Sequence, residues 1–282
     1  MKNIFSYLAF LAVLGLASCS AEPAPEQTDK ATKALAQPVV ADPGFKSVLH
    51  KADTRGETRA SWLVGKHSFS FNRYYDPNRM NFGLLRVLND DWIAGGGAFP
   101  MHPHENMEII TIQLEGGLMH QDNNGGQGVI RENEVQVMSA GTGIRHSEAN
   151  ASKTEACKLL QTWVFPNQMG LKPRYNQRRF EPEDRQNKWQ VLASPEEGEA
   201  LYIHQQTVYS RGDFDAGKTV RYPIRYTGNG VYAFVLEGQC KINGQPLERR
   251  DGFGVWDTDA ITVEAATDIE LLLIEVPMIN KG

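Results

Sequence analysis

The stretch Ile-Thr-Ile-Gln-Leu-Glu-Gly-Gly at residues 110–117 decides the fold, because a similar stretch, Tyr-Ala-Phe-Val-Leu-Glu-Gly, recurs at residues 232–238. Each is a short apolar run that ends in Glu and Gly, a pattern typical of a β-strand that leads into a turn. Other runs rich in Val, Ile, Phe and Tyr lie around the two copies, with Gly, Asn and Asp between them, and helical periodicity is weak. The sequence therefore predicts an all-β protein with an internal duplication of a β-barrel.

The length and charge of the chain limit what the protein does. Its 282 residues carry 29 Lys and Arg against 34 Asp and Glu, and this length allows two domains that each bury a core. Binding to nucleic acid is not expected, because phosphate neutralisation requires clustered Lys and Arg, and the sequence has no such cluster. Cys19, Cys157 and Cys240 are too few and too scattered for a disulfide framework or a thiolate zinc site. Any chemistry must therefore come from His and carboxylate side chains.

The N-terminus has the features of an export signal. Lys2 precedes an apolar stretch that is too short to span a bilayer, so residues 1–18 are interpreted as a signal peptide. The stretch ends Leu16-Ala17-Ser18-Cys19, which resembles the bacterial lipobox, and Cys19 is the expected site of lipidation. An ordinary cleavable signal is the alternative. Lipoproteins that stay in the inner membrane have Asp after the lipidated Cys, whereas this chain has Ser20. The resemblance therefore favours export and a lipid anchor in the cell envelope, on the periplasmic side of the outer membrane.

The remaining residues divide into a tether and two barrels. Residues 19–44 are rich in Ala, Pro, Glu and Gln and nearly lack large apolar side chains, so they are expected to form a flexible tether. Residues 45–166 are assigned to an N-terminal, metal-binding barrel, and residues 191–282 to a C-terminal barrel without a metal site. The polar, proline-bearing stretch 167–190 is interpreted as the connector between them.

Two pairs of polar residues in the N-terminal half have a spacing that suits metal ligands on β-strands. His102 and His104 are two residues apart, and so are His146 and Glu148; because side chains alternate between the faces of a strand, each pair shares a face. A single His-x-His pair is more often a surface or packing feature, but two pairs in one barrel would bring three imidazoles and a carboxylate together. Such a buried group needs a compensating partner, and a divalent metal is one. Nitrogen and oxygen ligands without thiolate favour iron(II) and permit manganese, nickel, copper or zinc.

Several further motifs accompany these pairs. They are Phe69-Ser70-Phe71, Tyr74-Tyr75-Asp76-Pro77, Phe82 to Val87, Met107 to Thr111, Gly128 to Arg131 and Met138 to Glu148. Together they resemble the pirins, bicupin proteins of the cupin superfamily, and within them the bacterial quercetin 2,3-dioxygenase-like branch. The resemblance implies two tandem cupin domains, which are jelly-roll β-barrels that face each other. It also implies one iron ion held by His102, His104, His146 and Glu148. Glu105-Asn106 departs from the family, which usually has Arg after the first pair.

The C-terminal half resembles the second cupin of that family. The matching motifs are Leu201 to Gln205, Gly238 to Gly244 and Arg250 to Gly254. No histidine follows His204. A second metal site is therefore not expected, and the domain is interpreted as structural.

Glu108 is the candidate catalytic base. It lies four residues after His104, so that along one extended strand the two side chains would face the same interior. A carboxylate there could take the proton of a substrate hydroxyl group, although a hydrogen bond to a metal ligand or a fifth ligand position are alternatives. His50 and His67 are interpreted as core or surface residues, and His120 is not expected to line the cavity.

Two functions fit these residues. The resemblance implies a metal-dependent dioxygenase that needs no organic cofactor and acts with dioxygen on a small aromatic substrate, quercetin or a related flavonol. The alternative is a non-catalytic, redox-responsive or ligand-binding metal-containing cupin of the cell envelope. Some pirins act as transcription cofactors, but an exported protein could not perform that role.

Overall fold

The structure, a computed structural model, describes residues 40–278 with the exception of residues 43, 197 and 199. The signal peptide predicted at 1–18, the lipidation site Cys19 and the tether up to residue 39 lie outside the described residues. Residues 40–42, which the sequence assigns to the tether, form a strand. Within the described part of the chain, no helix has the length and apolarity to cross a bilayer.

The described residues up to 164 form twelve strands and a 3-10 helix, Ala52–Thr54. The strands are β1 (Val40–Asp42), β2 (Phe45–His50), β3 (Gly56–Arg59), β4 (Leu63–His67), β5 (Leu85–Ile93), β6 (Ala98–His104), β7 (Glu108–Glu115), β8 (Gly117–Asp122), β9 (Gln127–Arg131), β10 (Glu134–Ser139), β11 (Ile144–Asn150) and β12 (Cys157–Val164).

The described residues after 164 form eleven strands and a second 3-10 helix, Pro182–Arg185. The strands are β13 (Arg174–Arg179), β14 (Gln190–Ser194), β15 (Leu201–Tyr202), β16 (Val208–Phe214), β17 (Thr219–Pro223), β18 (Asn229–Glu237), β19 (Cys240–Ile242), β20 (Gln245–Leu247), β21 (Gly252–Trp256), β22 (Ala260–Ala265) and β23 (Ile269–Pro277).

The described strands form two barrels, each made of a large and a small sheet that pack face to face. In the first barrel the orders are β13-β10-β7-β12-β5-β4-β3 and β6-β11-β8-β9. In the second they are β1-β2-β21-β18-β23-β16-β14-β15 and β17-β22-β19-β20. The two recurring stretches lie on β7 and β18, which hold equivalent places: β7 pairs antiparallel with β10 and β12, and β18 with β21 and β23. The predicted duplication of an all-β barrel is therefore confirmed.

Two segments cross the domain boundaries that the sequence suggests. β2 pairs with β21 in the second large sheet, although the sequence assigns residues 45–50 to the first barrel. β13, from the middle of the predicted connector, pairs with β10 at the edge of the first large sheet. Because an edge strand has unpaired backbone N–H and C=O groups, each barrel covers that edge with a strand from outside its own continuous sequence. Apart from these exchanges, the division into 45–166 and 191–282 stays a prediction.

The two large sheets face each other across an apolar interface. Its buried side chains include Leu88, Ile110 and Val137 of the first barrel and Tyr209, Tyr232 and Leu272 of the second. The hydroxyl groups of Thr162 and Tyr209 are hydrogen-bonded within it at 2.8 Å. The interior of each barrel, between its own large and small sheets, is a separate space.

The interiors of the two barrels differ. Apolar side chains from both sheets fill the second one, among them Phe214, Tyr222, Val235, Phe253, Val263 and Leu271. The first one has two separate apolar clusters, around Ile93 and Leu118 and around Ile109 and Met138. It also contains a cavity of about 510 Å³.

Candidate metal centre

Adjacent strands of the first small sheet bring three histidines together. β6 and β11 pair antiparallel, with His102 opposite His146 and His104 opposite Ile144. The ring centroids of the three imidazoles are 4.4 to 4.9 Å apart. One nitrogen atom of each ring lies within 4.8 Å of those of the other two. The spacing in the sequence, combined with the pairing of the two strands, accounts for this cluster.

The nitrogen atoms of His102 and His146 that face each other are both lone-pair acceptors. Nδ1–H of His102 donates to the carbonyl oxygen of Pro100 at 2.8 Å, which leaves Nε2 unprotonated in the neutral ring. Nδ1 of His146 lies 3.3 Å from Nδ1 of His120. Because Nε2–H of His120 donates to Asp122, Nδ1 of a neutral His120 accepts from Nδ1–H of His146, which leaves Nε2 of His146 unprotonated as well.

These two Nε2 atoms are 2.9 Å apart. Two lone pairs at this distance repel each other unless a cation binds both of them. Ligand atoms at adjacent corners of an octahedron with ~2.1 Å bonds are separated by ~3 Å. The donor set therefore fits a divalent metal ion.

Burial keeps the imidazoles of His104 and His146 neutral. Burial and the nearby ring of His102 lower the pKa of His104 to about 4. Burial and the neighbouring histidines lower the pKa of His146 to about 2. A neutral imidazole offers a lone pair to a metal, whereas an imidazolium does not, so both rings are able to bind a cation near neutral pH.

Glu148 lies beside His146 on the inner face of β11 and is buried. Its Oε1 atom accepts a hydrogen bond of 2.9 Å from Nε2 of Gln161, and burial raises its pKa to about 7. A potential ligand atom of Glu148 lies within 4.8 Å of those of His146 and His120. The structure thus groups Glu148 with His146 and His120, next to the cluster that contains His102 and His104.

The histidines His102 and His104 and the carboxyl group of Glu148 line the cavity of the first barrel. Its volume of about 510 Å³ is within the range of roughly 300–1,000 Å³ typical of small-molecule sites. The apolar side chains of its wall are Leu63, Phe71, Phe99, Pro100, Leu118, Leu159 and Trp163, and further polar ones are Thr58, His67, Asn72, Asn89, Asp91 and Gln161. The cavity therefore suits a small, largely apolar molecule with a few polar groups.

Comparisons with known proteins agree with this geometry. A family model described as pirin matches residues 49–164, and one described as the quercetinase C-terminal cupin domain matches residues 191–276. Quercetin 2,3-dioxygenase of Escherichia coli K12 is 42% identical over 229 residues, which cover 81% of this chain and 98% of that protein. The chain belongs to the pirin family.

Further pirins extend the match. The pirin-like protein of Caulobacter vibrioides is 41% identical over 225 residues, which cover 79% of this chain and 96% of that protein. The crystal structure of the bacterial pirin YhhW from Escherichia coli, in complex with nickel(II), has a TM-score of 0.78 and 41% identity, and the match covers 83% of this chain and 100% of that one. The recognition of the pirin family and the prediction of two tandem cupin domains are therefore confirmed.

Glu108 of this pirin does not share the interior with the histidines, and the expectation that it does is wrong. The loop between β6 and β7 contains Asn106 with a positive φ of 49°, so the alternation of faces does not continue from one strand to the next. Glu108 lies opposite Val164, which belongs to the interface between the barrels. Its Oε2 atom accepts hydrogen bonds from Oγ–H of Ser139 at 3.1 Å and from the backbone N–H of His204 at 3.3 Å. The carboxyl group is therefore not placed to act on a molecule in the cavity.

His120 is a residue of this site that the sequence interpretation missed. Its Nε2–H donates to Oδ2 of Asp122 at 3.0 Å, and its Nδ1 lies 3.1 Å from Nε2 of Gln136 and 3.3 Å from Nδ1 of His146. The signal in the sequence is a third pair of polar residues two apart, His120 and Asp122 on β8. This chain of hydrogen bonds fixes the proton of His146 on Nδ1 and so leaves its Nε2 free for a metal.

The other two histidines of the first half have different surroundings. His67 is buried at the cavity wall, where Nδ1 lies 2.7 Å from Oδ1 of Asn89 and Nε2 lies 2.8 Å from Oγ1 of Thr58. His50 is buried, and its Nδ1 lies 2.9 Å from the hydroxyl oxygen of Tyr232. His67 therefore belongs to the candidate site as well as to the core, whereas His50 is a core residue.

Proposed function

We propose that this pirin is a metal-dependent dioxygenase that acts on quercetin or related flavonol-like aromatic substrates. The observation that carries the proposal is a cluster of three histidines, two of which, His102 and His104, line a cavity with aromatic and aliphatic walls. The relatives named quercetin 2,3-dioxygenase, at 42% identity over most of the chain, support the same class of reaction. A small aromatic molecule and dioxygen are the two substrates.

The proposed cofactor is one divalent metal ion in the first barrel, with iron(II) as the expected ion. His102, His104 and His146 would bind it through ring nitrogen atoms. Glu148 would bind it through Oε2, since Oε1 is held by Gln161. The same donors accept manganese, nickel, copper and zinc, and the YhhW structure is a complex with nickel(II). When bound, the metal would act as a Lewis acid on a substrate oxygen atom, and the electrons for dioxygen would come from the substrate itself.

Aromatic side chains of the cavity are fixed by contacts with each other. Trp163 packs edge to face on the imidazole of His104, with ring centroids 4.9 Å apart, and Phe71 packs on Trp163 at 5.4 Å. Phe99 packs on Trp62 at 4.9 Å. Such preorganised rings hold a flat substrate in one orientation and keep bulk water away from it.

Oxygen uptake tests the proposal. Protein loaded anaerobically with iron(II) is mixed with quercetin, other flavonols, catechols and enediols in an oxygen electrode, with mixtures that lack oxygen or substrate as controls. We expect uptake of dioxygen together with loss of the flavonol absorbance. If fully loaded protein takes up no oxygen with any of these compounds, the non-catalytic, redox-responsive or ligand-binding cupin becomes the better assignment.

We also propose that the protein is exported and anchored to the periplasmic side of the outer membrane by lipid at Cys19. The support comes from the sequence of residues 1–44. Metabolic labelling with palmitate is expected to label the wild-type protein, which partitions with membranes, and not the Cys19→Ala variant. Mass spectrometry that finds an unmodified mature N-terminus at another residue would overturn this proposal.

A further inference from the structure

Asp91 is a buried carboxyl group on the large-sheet wall of the cavity, across from the small sheet that bears the histidines. It is 8% exposed and lines the cavity from β5. The residues paired with it on the neighbouring strands are Gly65 of β4 and Leu159 of β12. Glycine has no side chain, and the side chain of leucine has no polar atom. The carboxyl group therefore borders the cavity without a polar neighbour in its row of the sheet.

Asp91 differs from the other buried carboxyl groups of the described residues. Its side chain forms no hydrogen bond or ion pair with any described residue. Each of the others accepts at least one hydrogen bond: Glu108, Asp122, Glu148, Asp251 and Glu275. Glu275, which is fully buried, accepts from a tyrosine hydroxyl group, two backbone N–H groups and an asparagine amide. Since burial of an unpartnered polar group is unfavourable, Asp91 is expected to find its partner in a ligand.

The chain makes room for this carboxyl group at Gly65. A β-carbon at residue 65 would lie 2.6 Å from Oδ1 of Asp91, so any side chain there would displace the carboxyl group. The φ angle of Gly65 is not positive, and the strand conformation itself does not require glycine. Glycine at residue 65 therefore leaves space for the carboxyl group of Asp91, which has no partner among the described residues.

The surroundings of Asp91 favour the neutral acid. Burial, together with the carboxyl groups of Asp90 and Glu148, raises the pKa of Asp91 to about 8. A neutral carboxyl group donates one hydrogen bond and accepts others. A phenolic hydroxyl group also donates and accepts, so the two groups are complementary.

We propose that Asp91 binds a hydroxyl substituent of the aromatic substrate, other than the one that reacts, and thereby selects polyhydroxylated ring systems over unsubstituted ones. This inference rests on the proposed function, because it assigns a substrate contact in the same cavity. The hydroxyl group supplies the partner that Asp91 lacks, while Leu159 beside it contacts the apolar ring. A ring without this hydroxyl group leaves the carboxyl group unpartnered and is bound less tightly.

Anaerobic binding tests the inference without turnover. Flavonols quench tryptophan fluorescence, and Trp163 in the cavity wall is a reporter. The dissociation constants of metal-loaded protein are measured for quercetin and for 3-hydroxyflavone, which lacks the other ring hydroxyl groups. In Asp91→Leu, which keeps the branched shape without the oxygens, we expect quercetin to bind about tenfold less tightly and 3-hydroxyflavone to bind as before. In Asp91→Asn the amide still donates and accepts, so we expect most of the affinity for quercetin to remain.

Two further variants complete the test. Gly65→Ala displaces the carboxyl group without removing it, and we expect the same selective loss for quercetin. Asp213→Asn is the matched control, because this carboxylate pairs with Arg185 at 2.7 Å and does not line the cavity. It is expected to leave both affinities unchanged and to lower the melting temperature. Asp91→Leu is expected to raise the melting temperature, because it removes an unpartnered buried acid.

The outcomes separate the inference from the proposed function. An equal loss of affinity for both flavonols in Asp91→Leu and Gly65→Ala, or unchanged binding of quercetin in both, would overturn the role of Asp91 while the proposed function stands. If the wild-type protein binds neither flavonol, the proposed function fails, and the role of Asp91 fails with it.

Discussion

The two barrels of this pirin have corresponding strand orders, apart from the additional edge strand β1 in the second large sheet, and differ in the side chains that face their interiors. In the first small sheet, the inner positions of β6 and β11 carry His102, His104, His146 and Glu148. In the second, the strands at the same places, β17 and β22, turn Val220, Tyr222, Ile261 and Val263 inward. The fold therefore does not specify the site. The same pair of strands presents a cluster of histidines or completes an apolar core, depending on which side chains occupy alternate positions.

This difference has a consequence for stability. The first barrel buries imidazoles, Glu148 and the unpartnered Asp91 around a cavity, and each such feature lowers the stability of its own domain. The second barrel has an apolar, filled interior and shares the apolar interface with the first. We infer that the second barrel stabilises a first barrel whose interior is adapted to ligand binding.

The largest effect is expected from removal of the metal ligands. The His102→Ala/His146→Ala variant should contain almost no metal and show no activity, because it lacks the two nitrogen atoms that face each other at 2.9 Å. Elemental analysis of the purified protein measures the metal content. His204→Ala, in the second half, is the control and should retain one ion per chain. Two ions per wild-type chain, or full occupancy in the double variant, would contradict the contrast between the barrels.

The next largest effect, a loss of stability, is expected from a substitution that creates a cavity in the filled second barrel. Phe253→Ala removes a buried ring from the second interior and is expected to lower the free energy of unfolding by ~3–5 kcal/mol. Phe99→Ala removes a half-buried ring at the existing cavity and should cost ~1 kcal/mol. Urea denaturation of both variants measures the difference. Equal losses would show that the first interior is packed as tightly as the second.

A smaller effect on metal affinity is expected for the residues that form hydrogen bonds with the proposed metal ligands. Asp122→Asn weakens the hydrogen bond that orients His120, which in turn holds the proton of His146 on Nδ1. We expect metal affinity to fall about 10- to 100-fold, less than with loss of a ligand. Gln121→Ala, the exposed neighbour on β8, serves as the control and should not change it. Competition with a chelator measures the metal affinity of both variants. Equal affinities would show that the hydrogen bonds of His120 do not influence metal binding.

The sequence predicts the histidine cluster because the required information is local. Alternation of faces holds within β6 and within β11, so each pair of polar residues shares a face wherever the strand lies. The recurring stretches of β7 and β18 predict the duplication for the same reason. The prediction for Glu108 is wrong because the alternation of faces does not continue through the loop at Asn106, where the chain is no longer extended.

Other features depend on contacts between distant parts of the chain. The exchange of β2 and β13 depends on how the two barrels dock and which edges they leave open. The isolation of Asp91 depends on Gly65 and Leu159, which become its neighbours only when three strands pair. No local pattern in the sequence distinguishes Asp91 from Asp90, although one borders the cavity and the other pairs with arginine.

The smallest effect is expected at Glu108, and it tests the corrected position of this residue. Gln at this position keeps an oxygen atom that accepts from Ser139 and from the backbone of His204. Since burial raises the pKa of Glu108, the neutral amide changes its surroundings little. We therefore expect Glu108→Gln to change kcat by less than about twofold at unchanged metal content.

Glu148→Gln is the matched comparison on the cavity side. It removes a charge next to His146, so it should lower metal content and activity together. Steady-state kinetics and elemental analysis on the same samples separate the two residues. A tenfold or larger fall of kcat in Glu108→Gln at full metal content would mean that this carboxyl group reaches the substrate. The interface between the barrels would then take part in catalysis, and the second barrel would be more than a support for the first.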